Sequence, residues 1–153
     1  MIHHPAIVVL APLSGALIAG ILSFIQERYT YPAALIATGI SCAAAVRDLI
    51  YVAGHGPIAY HMAGWAPPMG IEYRIDTLNA MVLVMITAIA FLNLAASWPN
   101  VKQEMPDKSP SFYVMYLLFV VGLTGVASTG DLFNLYVLIE ITSLSSYTMI
   151  ALG

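Results

Sequence analysis

The sequence predicts an all-α integral membrane protein of about five transmembrane helices, with a short extracytoplasmic β-hairpin between the second and third. Three observations predict it. Of the 153 residues, 60% are hydrophobic and only 8% are charged, against roughly 25% charged in soluble domains. That leaves too little polar surface to cover a water-soluble globule. Five separate stretches come near the ~20 apolar residues that a helix needs to cross a hydrocarbon core. Helix is the form they must take, because an isolated lipid-exposed strand would leave its backbone groups unpaired.

The first stretch, residues 5–25, holds no charge and lacks a basic leader, so it reads as a retained span and not a cleaved signal peptide. The second, 32–53, is uncharged until Arg47 and Asp48 near its far end. Neighbouring residues on a helix point about 100° apart and pair poorly with each other, so interfacial anchoring is the expected role of this pair. The third, 78–98, carries Thr87 and Asn93, for which interhelical hydrogen bonds are expected. The fourth covers 112–129 and the fifth 132–152; all five form one membrane domain over residues 1–153. Asp76 and Asp131 stand just before the third and fifth helices, where a carboxylate suits the positive end of the helix dipole. Both are expected to act as N-terminal caps.

Between the second and third spans, Ile58, Tyr60 and Met62, then Ile71, Tyr73 and Ile75, recur with a period of two on either side of "GWAPPMG". That alternation, broken by turn residues, predicts a hairpin within about 57–76 on the membrane surface. The other long connection, "PNVKQEMPDKSP", is polar and reads as a flexible loop. Gly122 with Gly125 and Ala16 with Gly20 are small residues at helical spacing, which lets helices approach closely.

Composition also excludes functions. A net charge of −3 with five scattered basic residues gives no footprint for nucleic acid. The single Cys42 cannot form an intrachain disulfide or hold an iron–sulfur cluster, which takes four thiolates. His3, His4, His55 and His61 all lie outside the predicted spans, where no buried haem could use them. No cofactor and no metal site is expected. Lys and Arg favour cytoplasmic loops. With the N-terminus outside, Arg28, Lys102 and Lys108 fall inside against Arg74 outside. The protein is thus expected to be multi-pass in the cell (inner) membrane, N-terminus out, with Arg47 snorkelling to the interface.

One residue breaks the apolar pattern of the fifth span. In "GDLFNLYVLIEITSLSSY", Glu140 lies eight residues past Leu132, ~12 Å along the helix at 1.5 Å per residue. A charge there costs about 2.5–3.5 kcal/mol on insertion scales, and intramembrane acids are functional by default. Tyr136, Glu140, Ser143 and Tyr147 fall on one stripe of the helix. Burial disfavours the charged form of a carboxyl and a nearby cation favours it; a carboxyl caught between the two can take up and release a proton, as a relay requires. The bland alternative is a permanently neutral Glu140 that hydrogen-bonds between helices. Asp131 is a candidate for proton entry as well as a cap.

The stretches "TGDLFNLYVLIEITSLSSY" and "GWAPPMGIEYRIDTLNAMVL" resemble the proton-conducting antiporter-like membrane subunits. These include the D subunit of the multi-subunit Na+/H+ (Mrp) antiporters, their membrane-bound hydrogenase counterparts and the antiporter-like subunits of respiratory complex I. The resemblance implies that Glu140 is the fifth-helix glutamate of the family, which pairs with a lysine on a seventh helix. It also implies a whole subunit of about fourteen spans, of which this chain would be an N-terminal part. No lysine lies within the five predicted spans, since Lys102 and Lys108 are both in a loop. The counter-charge would come from elsewhere. The implied partners are the other membrane subunits of a complex, the lipid bilayer, H+ and, as a further candidate, Na+. The expected function is a membrane subunit of a proton-translocating complex with Glu140 as proton carrier. The alternative is a structural helical scaffold with no transport of its own. A redox-driven complex of NADH dehydrogenase or hydrogenase type remains open, with no redox centre in this chain.

Overall fold

The computed structural model describes residues 4–65 and 70–152. Five helices carry most of the chain: α1 (His4–Ile25), α2 (Thr30–His55), α3 (Thr77–Glu104), α4 (Ser109–Ser128) and α5 (Leu132–Leu152). All five are long and apolar enough to cross a membrane. A 3-10 turn, Glu27–Tyr29, joins α1 to α2. Helix α2 ends at Gly56, whose φ of +88° is a left-handed conformation that favours glycine.

The hairpin follows. Strands β1 (Ile58–His61) and β2 (Glu72–Ile75) pair antiparallel, with Ile58 opposite Ile75 and Tyr60 opposite Tyr73. The expected alternation holds on β2, where Tyr73 and Ile75 are buried and Arg74 is exposed. Met62 leaves the strand for a 3-10 turn, Met62–Gly64, although its N–H still bonds Ile71 O at 2.9 Å. The centre of the "GWAPPMG" turn, residues 66–69, lies outside the described residues. Asp76 then caps α3, its Oδ1 accepting from Asn79 N at 2.8 Å, as expected of a carboxylate at a helix start.

The helices pack in a defined order: α1 against α2 and α4, α2 against α3, α3 against α4, and α4 against α5. Alanines make the close approaches. Ala34, Ala37, Ala44 and Ala45 line the buried face of α2, and a Cβ at Gly15 of α1 would overlap Ala37. Gly20, expected to pack, has open space around it; the close contact falls five residues earlier, at Gly15. Interior hydroxyls are satisfied mostly by their own helix. Thr38 Oγ1 donates to Ala34 O at 3.0 Å, Thr87 Oγ1 to Leu83 O at 2.8 Å and Thr124 Oγ1 to Val120 O at 2.7 Å. Thr87 therefore makes no interhelical bond of the kind expected, because the carbonyl one turn back is nearer. Cross-links between helices include Ser41 Oγ to Val8 O at 2.6 Å and Tyr116 Oη to Ala90 O at 2.9 Å.

The predicted flexible loop is shorter than expected. Helix α3 runs on through Pro99 to Glu104, leaving residues 105–108 to connect it to α4. Apolar anchoring overrides the polar composition there. Val101 is buried with Tyr113 and Leu117 of α4, and the Trp98 ring sits 4.3 Å from that of Tyr31.

Candidate functional site

Helix α5 presents two faces of opposite character. Asn134, Leu138 and Ser145 are buried, and they stack at helical spacing along one side. That side lies on α4 at its two glycines: a Cβ at Gly122 would overlap Thr142, and one at Gly125 would overlap the tip of Leu138. The small-residue pair on α4 is thus where α5 docks. The predicted polar stripe lies on the other side. Glu140 is exposed, Tyr136 and Tyr147 are 69% and 68% exposed, and Ser143 is half-buried with its hydroxyl donating to Ile139 O at 2.9 Å. The structure keeps these four residues together and turns them away from the bundle.

The depth of Glu140 is set at the start of the helix, where the hairpin grips the link between α4 and α5. Tyr73 forms an isolated β-bridge with Thr129, and Gly130 N donates to Glu72 O at 2.8 Å, so the α4–α5 link is pinned to the free edge of β2. Asn79 Nδ2 reaches Ala127 O at 2.9 Å and Arg74 O at 3.2 Å, tying α3, the hairpin and the end of α4 together. Asn134 Nδ2 donates to Thr129 Oγ1 at 3.0 Å. Asp131 is half-buried, and its Oδ1 accepts from Phe133 N at 3.1 Å, the capping geometry expected of it. Burial pushes the Tyr73 phenol above its ordinary value, and a side-chain hydrogen bond with Asn134 acts in the opposite direction. Asn79, Thr129 and Asn134 do not stand out in the sequence. Their signal is weak: single polar residues within two turns of a helix end, where polar side chains are ordinary.

The two lysines stay at the other end of the bundle. Lys108 Nζ meets Leu152 O at 3.3 Å, at the last turn of α5, and Lys102 Nζ lies 5.5 Å from the Trp98 ring. Neither approaches the middle of α5, so among the described residues Glu140 has no lysine to pair with.

A larger departure concerns α2. Arg47 is exposed, as an interfacial anchor would be, but Asp48 is fully buried. The ~100° between adjacent helical residues sends one of the pair outward and the other into the core, so the two do not share the interfacial role expected of them.

Known proteins resemble this chain in sequence and in fold. No family model matches it. It is 38% identical to NADH-quinone oxidoreductase subunit N of Desulforudis audaxviator over 154 residues, covering 99% of this chain. It is 40% identical over 108 residues, or 69% of its length, to a protein of Staphylococcus haemolyticus described as an antiporter subunit, mnhD2. The chain belongs to the antiporter-like membrane subunit family. The membrane-bound sulfane sulfur reductase, an archaeal respiratory membrane complex, contains a chain with the same arrangement: TM-score 0.84 and 30% identity over 94% of this chain. The Mrp complex from Dietzia sp. gives a TM-score of 0.80 at 25% identity over 97%. This antiporter-like chain spans 30% of the length of the subunit N relative and 21% of the mnhD2 relative. It is a multi-pass membrane protein.

Proposed function

We propose that this chain is part of a proton-translocating membrane subunit and carries its intramembrane proton-binding carboxyl, Glu140. The observation that carries the reading is the position of Glu140 on α5. It lies two residues from the middle of a 21-residue helix, on the face that this chain leaves uncovered. A carboxyl at that depth is costly against lipid. It is stabilised if further helices bring a basic group or ordered water to it.

Tyr136, Ser143 and Tyr147 share the face with Glu140 and would line the same space. Their hydroxyls can each donate and accept, which suits them to hold connecting water. Asp131, half-buried at the N-terminal end of α5, would serve first as a cap and second as an entry point for protons. The counter-charge would be supplied by residues beyond these 153, in a subunit of which this chain forms the N-terminal part. Its partners would be the other membrane subunits of such a complex, in the manner of the Mrp and sulfane sulfur reductase assemblies. Arg28, Lys102 and Lys108 lie in or beside the α1–α2 and α3–α4 connections, with Arg74 on the hairpin. That supports an N-terminus outside the cell membrane.

The test is transport by the assembled complex in proteoliposomes. Glu140→Ala should abolish proton movement, and Glu140→Gln, which keeps the shape but holds no exchangeable charge, should do the same. Neither described lysine approaches the middle of α5, which favours a second reading, a structural scaffold. Unimpaired transport in both variants would remove Glu140 from the mechanism and leave the scaffold as the better reading.

A further inference from the structure

Glu140 is not the only acid within a helix of this chain. Asp48 stands in α2, seven residues before its end at His55. Its side chain is fully buried, and neither Oδ1 nor Oδ2 has a hydrogen-bond partner among the described residues. Ala44, Ala45 and Val52, one turn to either side on the same face, belong to an apolar cluster. That cluster joins α2 to Val8 of α1, to Ile58 and Ile75 of the hairpin, and to Ala80 and Leu83 of α3.

Among the described side chains, no cation forms an ion pair with this carboxyl. Arg47 and Arg74 are exposed, and His61 lies 3.9 Å from Glu72 on the hairpin. The buried faces of α3 and α4 bring Leu83, Thr87, Thr124 and Ser128 inward, none of them charged. The phenols of Tyr51 and Tyr60, half-buried, pack at the edge of the same cluster.

An isolated ionised carboxylate in an apolar interior costs tens of kcal/mol in the Born limit, and such a group neutralises instead. A neutral carboxylic acid has one O–H to donate and a carbonyl to accept. Buried polar atoms left over by the protein are commonly served by internal water. We propose that Asp48 is a second proton-binding site of this chain, separate from Glu140, where the carboxyl holds its proton and hydrogen-bonds an internal water molecule. The ligands are a proton and a water. The site lies inside the bundle that α1 to α4 close, whereas Glu140 faces outward, so it stands independently of any transport role for Glu140.

The experiment is infrared spectroscopy of the full chain in lipid vesicles at neutral pH, with 13C in the aspartate side-chain carboxyls. The other three aspartates are Asp76 and Asp107, both exposed, and Asp131, which caps α5; these contribute carboxylate bands. The expected result is one protonated-carboxyl C=O band, at the position of a hydrogen-bonded acid, that shifts in D2O. It should vanish in Asp48→Asn and persist in Glu140→Gln. Only carboxylate bands from the labelled aspartates would show that Asp48 is charged and overturn the proposal. A band at the position of a carbonyl without hydrogen bonds would overturn the hydrated site. Should Asp48→Asn fail to fold, the labelled wild-type spectrum decides alone, because it needs no substitution.

Discussion

The orientation of α5 rests on its docking against α4, and Gly122→Ala tests that contact directly. A Cβ built at Gly122 would overlap Thr142 Oγ1 and stand 3.0 Å from both Cα and Cβ of Thr142. Carbon atoms pack best at about 3.5–4.0 Å. A side-chain rotation can move the hydroxyl but not the backbone carbon, so α5 itself must retreat. Overpacking of this kind costs about 1–3 kcal/mol. Gly20→Ala is the control, since a methyl group added there would meet nothing within 4 Å. Both changes gain the same helix propensity, about 0.5–1 kcal/mol, so their difference isolates the overlap. Gly125→Ala should fall between the two, because it meets the flexible tip of Leu138. The assay is reversible unfolding of the reconstituted chain, with Thr142→Ala combined with Gly122→Ala to measure coupling. The double variant should recover part of the loss, by the 0.5–3 kcal/mol typical of residues in contact. Equal stabilities for Gly122→Ala and Gly20→Ala would refute the packing and, with it, the outward aim of Glu140.

Two other predictions concern the clamp at the start of α5. Asn79→Ala removes the donors to Ala127 O and Arg74 O; at about 0.5–1.5 kcal/mol for each bond, the loss should total about 1–3 kcal/mol. Amide exchange at Gly130, whose N–H bonds Glu72 O, should quicken, and an unchanged rate there would dissociate Asn79 from the clamp. Because burial raises the Tyr73 phenol above its ordinary value, folding favours its protonated form. Its contribution is fully present below about pH 10, the unfolded value, and falls as pH rises through the higher folded value. Alkaline unfolding curves of wild type and Tyr73→Phe should therefore diverge above about pH 10, with the wild type losing stability faster; parallel curves would contradict the assignment.

Much of this architecture can be read from local chemistry. Span positions follow from hydropathy, the strands from the alternation of Ile58 with Tyr60 and of Ile71, Tyr73 and Ile75, and the caps from Asp76 and Asp131 beside apolar runs. The direction in which a residue points is less legible. In a soluble helix the polar face marks the outside, but a membrane helix is apolar toward both lipid and neighbours. Asp48 illustrates the difficulty: beside Arg47 and near a helix end it reads as interfacial, yet the turn of the helix carries it into the core. Helix α3 crosses Pro99 for a related reason. Trp98 and Val101 find partners in Tyr31 and Tyr113, contacts between residues distant in sequence that no local pattern announces.

The two intramembrane acids differ because different constraints hold their helices. Helix α5 has α4 as its main helical neighbour, so its rotation is governed by Gly122, Gly125 and the clamp at Thr129 and Gly130. A turn of one residue's worth, ~100°, would carry Glu140 off the open face and take Leu138 out of its contact with Gly125. Helix α2 is packed on the face that carries Asp48, with α1 and α3 as its principal neighbours and α4 alongside. Asp48 consequently has no freedom to reach solvent without opening the cluster around Val52 and Leu83. Glu140 is open to whatever packs on α5. Asp48 is not, and its chemistry is confined to what fits inside the bundle.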